Sequence, residues 1–316
     1  MKAFALTAPD QPAAPVDLPE PTTLESDGVR IRVRAASVNG FDVYQASGGL
    51  IAMMEHSLPT VIGRDFAGVI EAVGSNRTDV AGGDEVLGFI PSTPPLHDGT
   101  YADLFASSNV VLAPKPAALS FEAAAAIPLA AATALDAVDA VDVGPGDVVL
   151  VAGATGGVGS FALQLAARRG ATVIATARPG DEEAFVRGLG ASDTVDYSTG
   201  DIAGTVRAKY PDGVMALIDM VNRDDAFEAM TALVRNGGRI ATTLGAADVE
   251  ALARRTVRAT NVIGTPTPEK LTQLADAVAS GALRVEVQQT FPLERAGEAL
   301  EAFSGGTLGK LVLVIG

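Results

Sequence analysis

The sequence predicts an α/β fold in two parts, a strand-rich, barrel-like domain and a doubly wound parallel sheet covered by helices. Three observations predict it. The first 115 residues alternate short apolar runs with Pro- and Gly-rich turns. From about residue 120 strands and helices alternate with short connections, the pattern of a parallel sheet buried on both faces. The length of 316 residues is about twice that of a common ~150-residue domain.

Within the first part, IRVRAASV (31–38) partly alternates and is rich in β-branched residues. VIGRDFAGVIEAVG (61–74) and DEVLGFI (84–90) are apolar runs punctuated by glycine. Pro and Gly cluster at 9–21, 48–49, 82–83 and 91–99, marking turns and loops. LSFEAAAAIPLAAATALDAV (119–138) is Ala-rich and helical, starts near Ser120 and is interrupted at Pro128. Strands then fall at VVLVAG (148–153), ATVIATA (171–177), DTVDY (193–197), VMALIDMV (214–221), RIATTLG (239–245) and ATNVIG (259–264). Helices are predicted between them over 158–170, 181–190, 201–210, 224–238 and 247–255. The tail adds a helix (268–281), a strand (283–292), a helix (294–306) and a last strand, KLVLVIG (310–316), which can complete the first domain rather than the second.

Composition narrows the function. Hydrophobic residues make up 48% of the chain and mean hydropathy is positive, so the chain buries a core and is not disordered. The net charge of −15 and the lack of a basic stripe argue against nucleic-acid binding. Without cysteine there is no disulfide, thiolate nucleophile, iron–sulfur cluster or Cys-ligated zinc. Two histidines, His56 and His97, are too few for a His-rich metal site. No apolar run reaches the roughly 18 residues that span a bilayer, and the start of the chain is too short an apolar stretch for a signal peptide. A soluble, cytoplasmic protein is expected.

The strongest local motif is GATGGVG, with Gly153, Ala154, Thr155, Gly156, Gly157, Val158 and Gly159 between a strand and a helix. A diphosphate must approach backbone N–H groups at a helix N-terminus, where the dipole favours negative charge, and only residues without bulk allow it. The spacing differs from GxGxxG, so the surrounding strand–helix–strand context carries the assignment of a dinucleotide site. An acid at the end of the next strand would accept the ribose hydroxyls of NAD, yet Thr176, Ala177 and Arg178 stand there, with no carboxylate before Asp181. A guanidinium at Arg178 can pair with a 2′-phosphate, which favours NADPH over NADH; the plain alternative is a solvated charge leading into a helix.

GATGGVG together with GRDFAGVIEAVG (63–74), DEVLGF (84–89), DGTYADL (98–104) and IPLAAATALDAV (127–138) closely resembles the medium-chain dehydrogenase/reductase superfamily. Within it, the resemblance is to the zinc-free quinone oxidoreductase group, which includes enoyl reductases, and it extends over essentially the whole chain. It implies a GroES-like β-barrel catalytic domain (1–117 plus 267–316) with a Rossmann dinucleotide-binding domain (118–266) inserted, and a homodimer or homotetramer. Zinc-dependent members hold their metal with a Cys, a GHE motif and a later Cys or acid. Here Asn39 in SVNGFD (37–42) stands where the first Cys would be and Arg64 in GRD (63–65) replaces the His, so no metal is expected.

The resemblance also implies site residues. Zinc-free members carry an Asn followed five positions later by a Tyr, here Asn39 and Tyr44, to hold a substrate carbonyl and to donate a hydrogen bond or proton. Their plain alternatives are a cap residue and a surface aromatic. Thr133 resembles a threonine near the nicotinamide carboxamide, and Tyr197 a position beside the adenosine phosphate. Asn222, Arg223 and Gly245 follow the fourth and fifth strands, where ligands bind in an open α/β sheet. Asn222-Arg223 replaces a common Gly-Gly, leaving the nicotinamide-ribose contacts open. His97 and His56 read as loop residues, and Lys310 in LGK matches a family position without an assigned role. The expected activity is metal-free, NADPH-dependent hydride transfer to a small electrophile, a quinone or the C=C of an α,β-unsaturated carbonyl. The alternatives are a dinucleotide-binding structural or sensor protein and a biosynthetic tailoring enoyl reductase acting on acyl-thioesters.

Overall fold

A computed structural model describes residues 1–316. The chain forms two compact units, Met1–Leu129 with Pro266–Gly316, and Ala130–Thr265. No helix is long and apolar enough to cross a membrane.

The first unit opens with β1 (Lys2–Leu6), β2 (Ala14–Asp17) and β3 (Val29–Ser37), then α1 (Gly40–Ala46) and β4 (Thr60–Val61). It continues through β5 (Asp65–Val73), β6 (Glu85–Phe89), β7 (Leu104–Ser107), β8 (Val111–Pro114) and α2 (Phe121–Ala125). In β3, Val29, Ile31, Val33 and Ala35 are buried while Arg30, Arg32 and Arg34 alternate with them on the more exposed face. Ser120 caps α2, its side chain accepting the Ala123 N–H at 3.2 Å. Because α2 packs on β3, β5 and β6, this unit reaches past residue 117 to Leu129.

The second unit takes in α3 (Pro128–Val141), β9 (Val148–Ala152), α4 (Gly157–Arg168), β10 (Thr172–Thr176), α5 (Asp181–Gly188) and β11 (Asp193–Val195). After α6 (Ile202–Lys209) come β12 (Val214–Asp219), α7 (Asp224–Thr231), β13 (Val234–Thr242), α8 (Val249–Arg254) and β14 (Arg258–Asn261). These strands pair in parallel in the order β11-β10-β9-β12-β13-β14. The strand order reverses between β9 and β12, the point at which open α/β sheets bind ligands. Leu150, Val151, Leu217 and Ile218 in these two strands are fully buried, as helices on both faces require.

The chain then returns to the first unit with α9 (Pro268–Ala279), β15 (Val287–Pro292), α10 (Ala296–Ser304) and β16 (Lys310–Val314). There β16 lies between β15 and β3 in a seven-stranded sheet ordered β15-β16-β3-β5-β6-β8, with β7 also on β3, and a small sheet runs β2-β1-β4. Phe66 and Phe105 meet edge to face in the core, centroids 5.0 Å apart.

Two local expectations are corrected. The helix expected over 224–238 stops at Thr231, because Val234 pairs with Val214 and the NGG that follows is absorbed in a register shift of the β12–β13 ladder. The segment 40–46, expected only as part of a strand-rich region, is helix α1, capped by Asn39.

Candidate active site

In the second unit the glycine-rich motif is the turn from β9 into α4. Gly153 has φ +81°, a conformation that favours glycine, and its N–H is tied to Thr176 Oγ1 on β10 at 3.0 Å. A Cβ on Gly159 would fall 2.0 Å from the Gly153 carbonyl oxygen, so the first turn of α4 closes on the strand only with glycine there. Gly156, the N-cap of α4, is different: a Cβ there would meet only the Gly153 oxygen, at 3.6 Å. The space beside Gly156 is open at the N-terminus of α4, where the first N–H groups of a helix have no intrahelical partner, as a diphosphate cradle requires.

Every second-unit candidate lies at the carboxyl end of a strand, apart from Thr133, which is buried on α3. Val221 after β12 reaches the turn after β9: a Cβ on Gly153 would touch Val221 Cγ1 at 2.7 Å. Asn222 is bound to Asp219, its N–H donating to Oδ1 at 2.9 Å and its Nδ2 to Oδ2 at 2.8 Å. Gly245 follows β13 with φ +68°, beside the Leu244 carbonyl that accepts from Arg223. Arg178 and Tyr197, after β10 and β11, converge on Glu182, which the sequence reading overlooked. Glu182 stands four residues after Arg178 at a helix start, an i,i+4 spacing that signals such a pair. The residues of this unit therefore fit a dinucleotide.

In the first unit, Asn39 caps α1 and Tyr44 lies within it, but the two face different surroundings. Asn39 is 8% exposed. Its Oδ1 accepts from Lys310 Nζ at 2.6 Å and its Nδ2 donates to Asp65 Oδ2 at 2.9 Å. Its N–H donates to Asp42 Oδ2 at 2.9 Å. Tyr44 is 50% exposed, its ring resting on Gly49 and its hydroxyl 3.9 Å from Met53 Sδ. Asp65 Oδ2 also accepts from Ser37 Oγ at 2.8 Å, and Oδ1 from the Leu129 N–H at 3.0 Å. Arg64 is buried, donating to Gln45 Oε1 and the Asp98 carbonyl, with its guanidinium over the Phe41 ring.

Burial governs the electrostatics of this cluster. It pushes Asp42 up to about 7, helped by the charge of Asp65 and opposed by the Asn39 N–H and the cations Arg64 and Lys310. Burial also raises Asp65, against the pull of Lys310, and lowers Lys310, against the pull of Asp65. Zinc does not fit here: both Asp65 oxygens and the Asn39 carbonyl are already engaged, and the ammonium of Lys310 and guanidinium of Arg64 occupy the ground where a divalent cation would need donors.

A Rossmann-type sheet with an open glycine cradle, joined in one chain to a barrel unit with a buried polar cluster, defines a dinucleotide-dependent oxidoreductase. Residues 25–128 match the alcohol dehydrogenase GroES-like domain family, and residues 189–313 the zinc-binding dehydrogenase family. The chain is 31% identical to the quinone oxidoreductase of Pseudomonas aeruginosa, covering 90% of each. It is 29% identical to the NADPH-dependent alkenal/one oxidoreductase of Arabidopsis thaliana, over 92% of this chain and 72% of that one. The solved Escherichia coli quinone oxidoreductase complexed with NADPH superimposes with a TM-score of 0.85 at 25% identity, covering 99% of this chain and all of the other. The chain belongs to the medium-chain dehydrogenase/reductase family, in its zinc-free quinone oxidoreductase group.

Proposed function

We propose that this protein is a metal-free reductase that uses NADPH to reduce a small electrophile, a quinone or the C=C of an α,β-unsaturated carbonyl. The observation that carries the reading is the open cradle over Gly156 at the switch point of the parallel sheet, between β9 and β12. NADPH supplies a hydride when bound. The turn Gly153–Gly159 holds the diphosphate with backbone N–H groups, Arg178 and Tyr197 take the adenosine end, and Thr133, Asn222 and Gly245 the nicotinamide end. Tyr44, half exposed, donates a hydrogen bond or proton to the acceptor oxygen. Asn39, held at both ends of its amide by Lys310 and Asp65, fixes the helix that carries Tyr44 and keeps one Nδ2 proton for the substrate.

The test follows absorbance of NADPH and NADH with a panel of quinones, enones and enoyl thioesters. Acceptor-dependent oxidation of NADPH is expected, with Tyr44→Phe reducing it about 10²-fold or more. Oxidation of neither coenzyme by any acceptor rejects the reading. Tight binding without turnover supports a sensor, and a preference for acyl-thioesters supports the tailoring enzyme.

A further inference from the structure

The first turn of α5 carries three acids, Asp181, Glu182 and Glu183. The middle one folds back. Glu182 Oε2 accepts the Arg178 backbone N–H at 2.8 Å. Its Oε1 takes Arg178 Nε at 2.7 Å and Nη2 at 2.5 Å, and the Tyr197 hydroxyl at 3.1 Å. The guanidinium also lies over the Tyr197 ring, 5.8 Å from its centroid. The Nε–Nη2 edge of Arg178, one of the two with which a guanidinium can fork a phosphate, is therefore already engaged by the protein's own carboxylate. The two partners are exposed unequally: the Glu182 side chain is 11% exposed, whereas that of Arg178 is 58% exposed and open to an incoming ligand.

We propose that Glu182 is the residue that sets coenzyme preference, competing with the 2′-phosphate of NADPH for Arg178 and accepting a hydrogen bond from the free 2′-hydroxyl of NADH. The proposal rests on the dinucleotide reading given above. A 2′-phosphate brings nearly two negative charges into a neighbourhood that already holds Glu182, with Asp196 acting on the same arginine. Its gain from Arg178 is offset by what it displaces and by repulsion from the carboxylate left behind. A ribose hydroxyl meets no such repulsion. Removing the charge of Glu182 while keeping its shape releases Arg178 for a bidentate phosphate contact.

The experiment is calorimetric titration of the full chain, Glu182→Gln and Arg178→Gln with NADPH, NADH, 2′,5′-ADP and 5′-AMP, which reads binding without turnover. In Glu182→Gln, affinity for NADPH and 2′,5′-ADP is expected to rise about five- to tenfold while that for NADH and 5′-AMP holds or falls. Arg178→Gln is expected to shift the ratio toward NADH, and the double variant to lose the gain of Glu182→Gln, which a merely structural glutamate would not produce. An unchanged ratio in Glu182→Gln, or a gain that survives loss of Arg178, overturns the proposal. If Glu182→Gln does not melt cooperatively, Arg178→Gln decides: an unchanged ratio there overturns it as well. A wild type that binds neither dinucleotide rejects the underlying reading and this one with it, whereas dinucleotide binding with unmoved ratios rejects only the role of Glu182.

Discussion

Asp42 is wholly buried, with Oδ2 held by the Asn39 N–H and Oδ1 without a hydrogen-bond partner. Its pKa rises from 3.8 to about 7 through burial and the nearby Asp65 charge. A raised carboxyl favours folding while protonated. Its contribution is complete at pH values below its unfolded pKa and is lost as pH climbs through the folded value, so stability declines between about pH 4 and pH 7. Urea unfolding at pH 5 and pH 8 is expected to cost the wild type roughly 1–3 kcal/mol more than Asp42→Asn, in which that proton is permanent. Equal losses reject the assignment. How legible such residues are depends on the distance to their partners. Asn39 and Tyr44 were proposed only through the family resemblance, and Glu182 was within reach of an i,i+4 search. The role of Lys310 was hidden, because its partner Asn39 lies 271 positions away and only the fold joins them.

The β9–α4 turn separates packing from recognition at the level of an element. Gly159→Ala forces a methyl against the Gly153 carbonyl, a backbone atom that cannot give way. It is expected to destabilise the protein by about 1–3 kcal/mol and to lose coenzyme binding along with it. Gly156→Ala places its methyl in open space at φ −73°, which alanine adopts freely. Its melting temperature is expected to match the wild type while coenzyme affinity falls about tenfold or more. Thermal melts paired with calorimetry check both, and a destabilised Gly156→Ala would undo the distinction. The elements themselves were legible where a local period was strong, as in β9, α4 and β12. They were not where a short run had to be judged alone. The seven residues of α1 begin with glycine, and the VRNGG that follows α7 reads as a helix ending until its pairing with β12 is known.

For the whole molecule, the order of the chain matters more than any single contact. The sheet of the first unit needs β16 between β15 and β3, and β16 also delivers Lys310 to Asp65, 3.9 Å away. A chain ending at residue 309 is expected to leave residues 1–129 unprotected in hydrogen exchange, read peptide by peptide, while residues 130–265 keep their slow amides. Protection throughout the first unit would show the strand to be dispensable. The division into a barrel and a parallel sheet was visible in the alternation of periods. That the tail can rejoin the barrel was open in the sequence and was what the family resemblance also implied, but a strand such as KLVLVIG carries no address for its neighbours, so its place between β15 and β3 needed the fold.

That placement of β16 also fixes a timetable. A ribosome finishes the nucleotide-gripping half well before it releases the last piece of the barrel. Translation that stalls late, or a protease that nicks the chain just short of residue 310, is therefore expected to leave behind a fragment that soaks up coenzyme and turns over nothing.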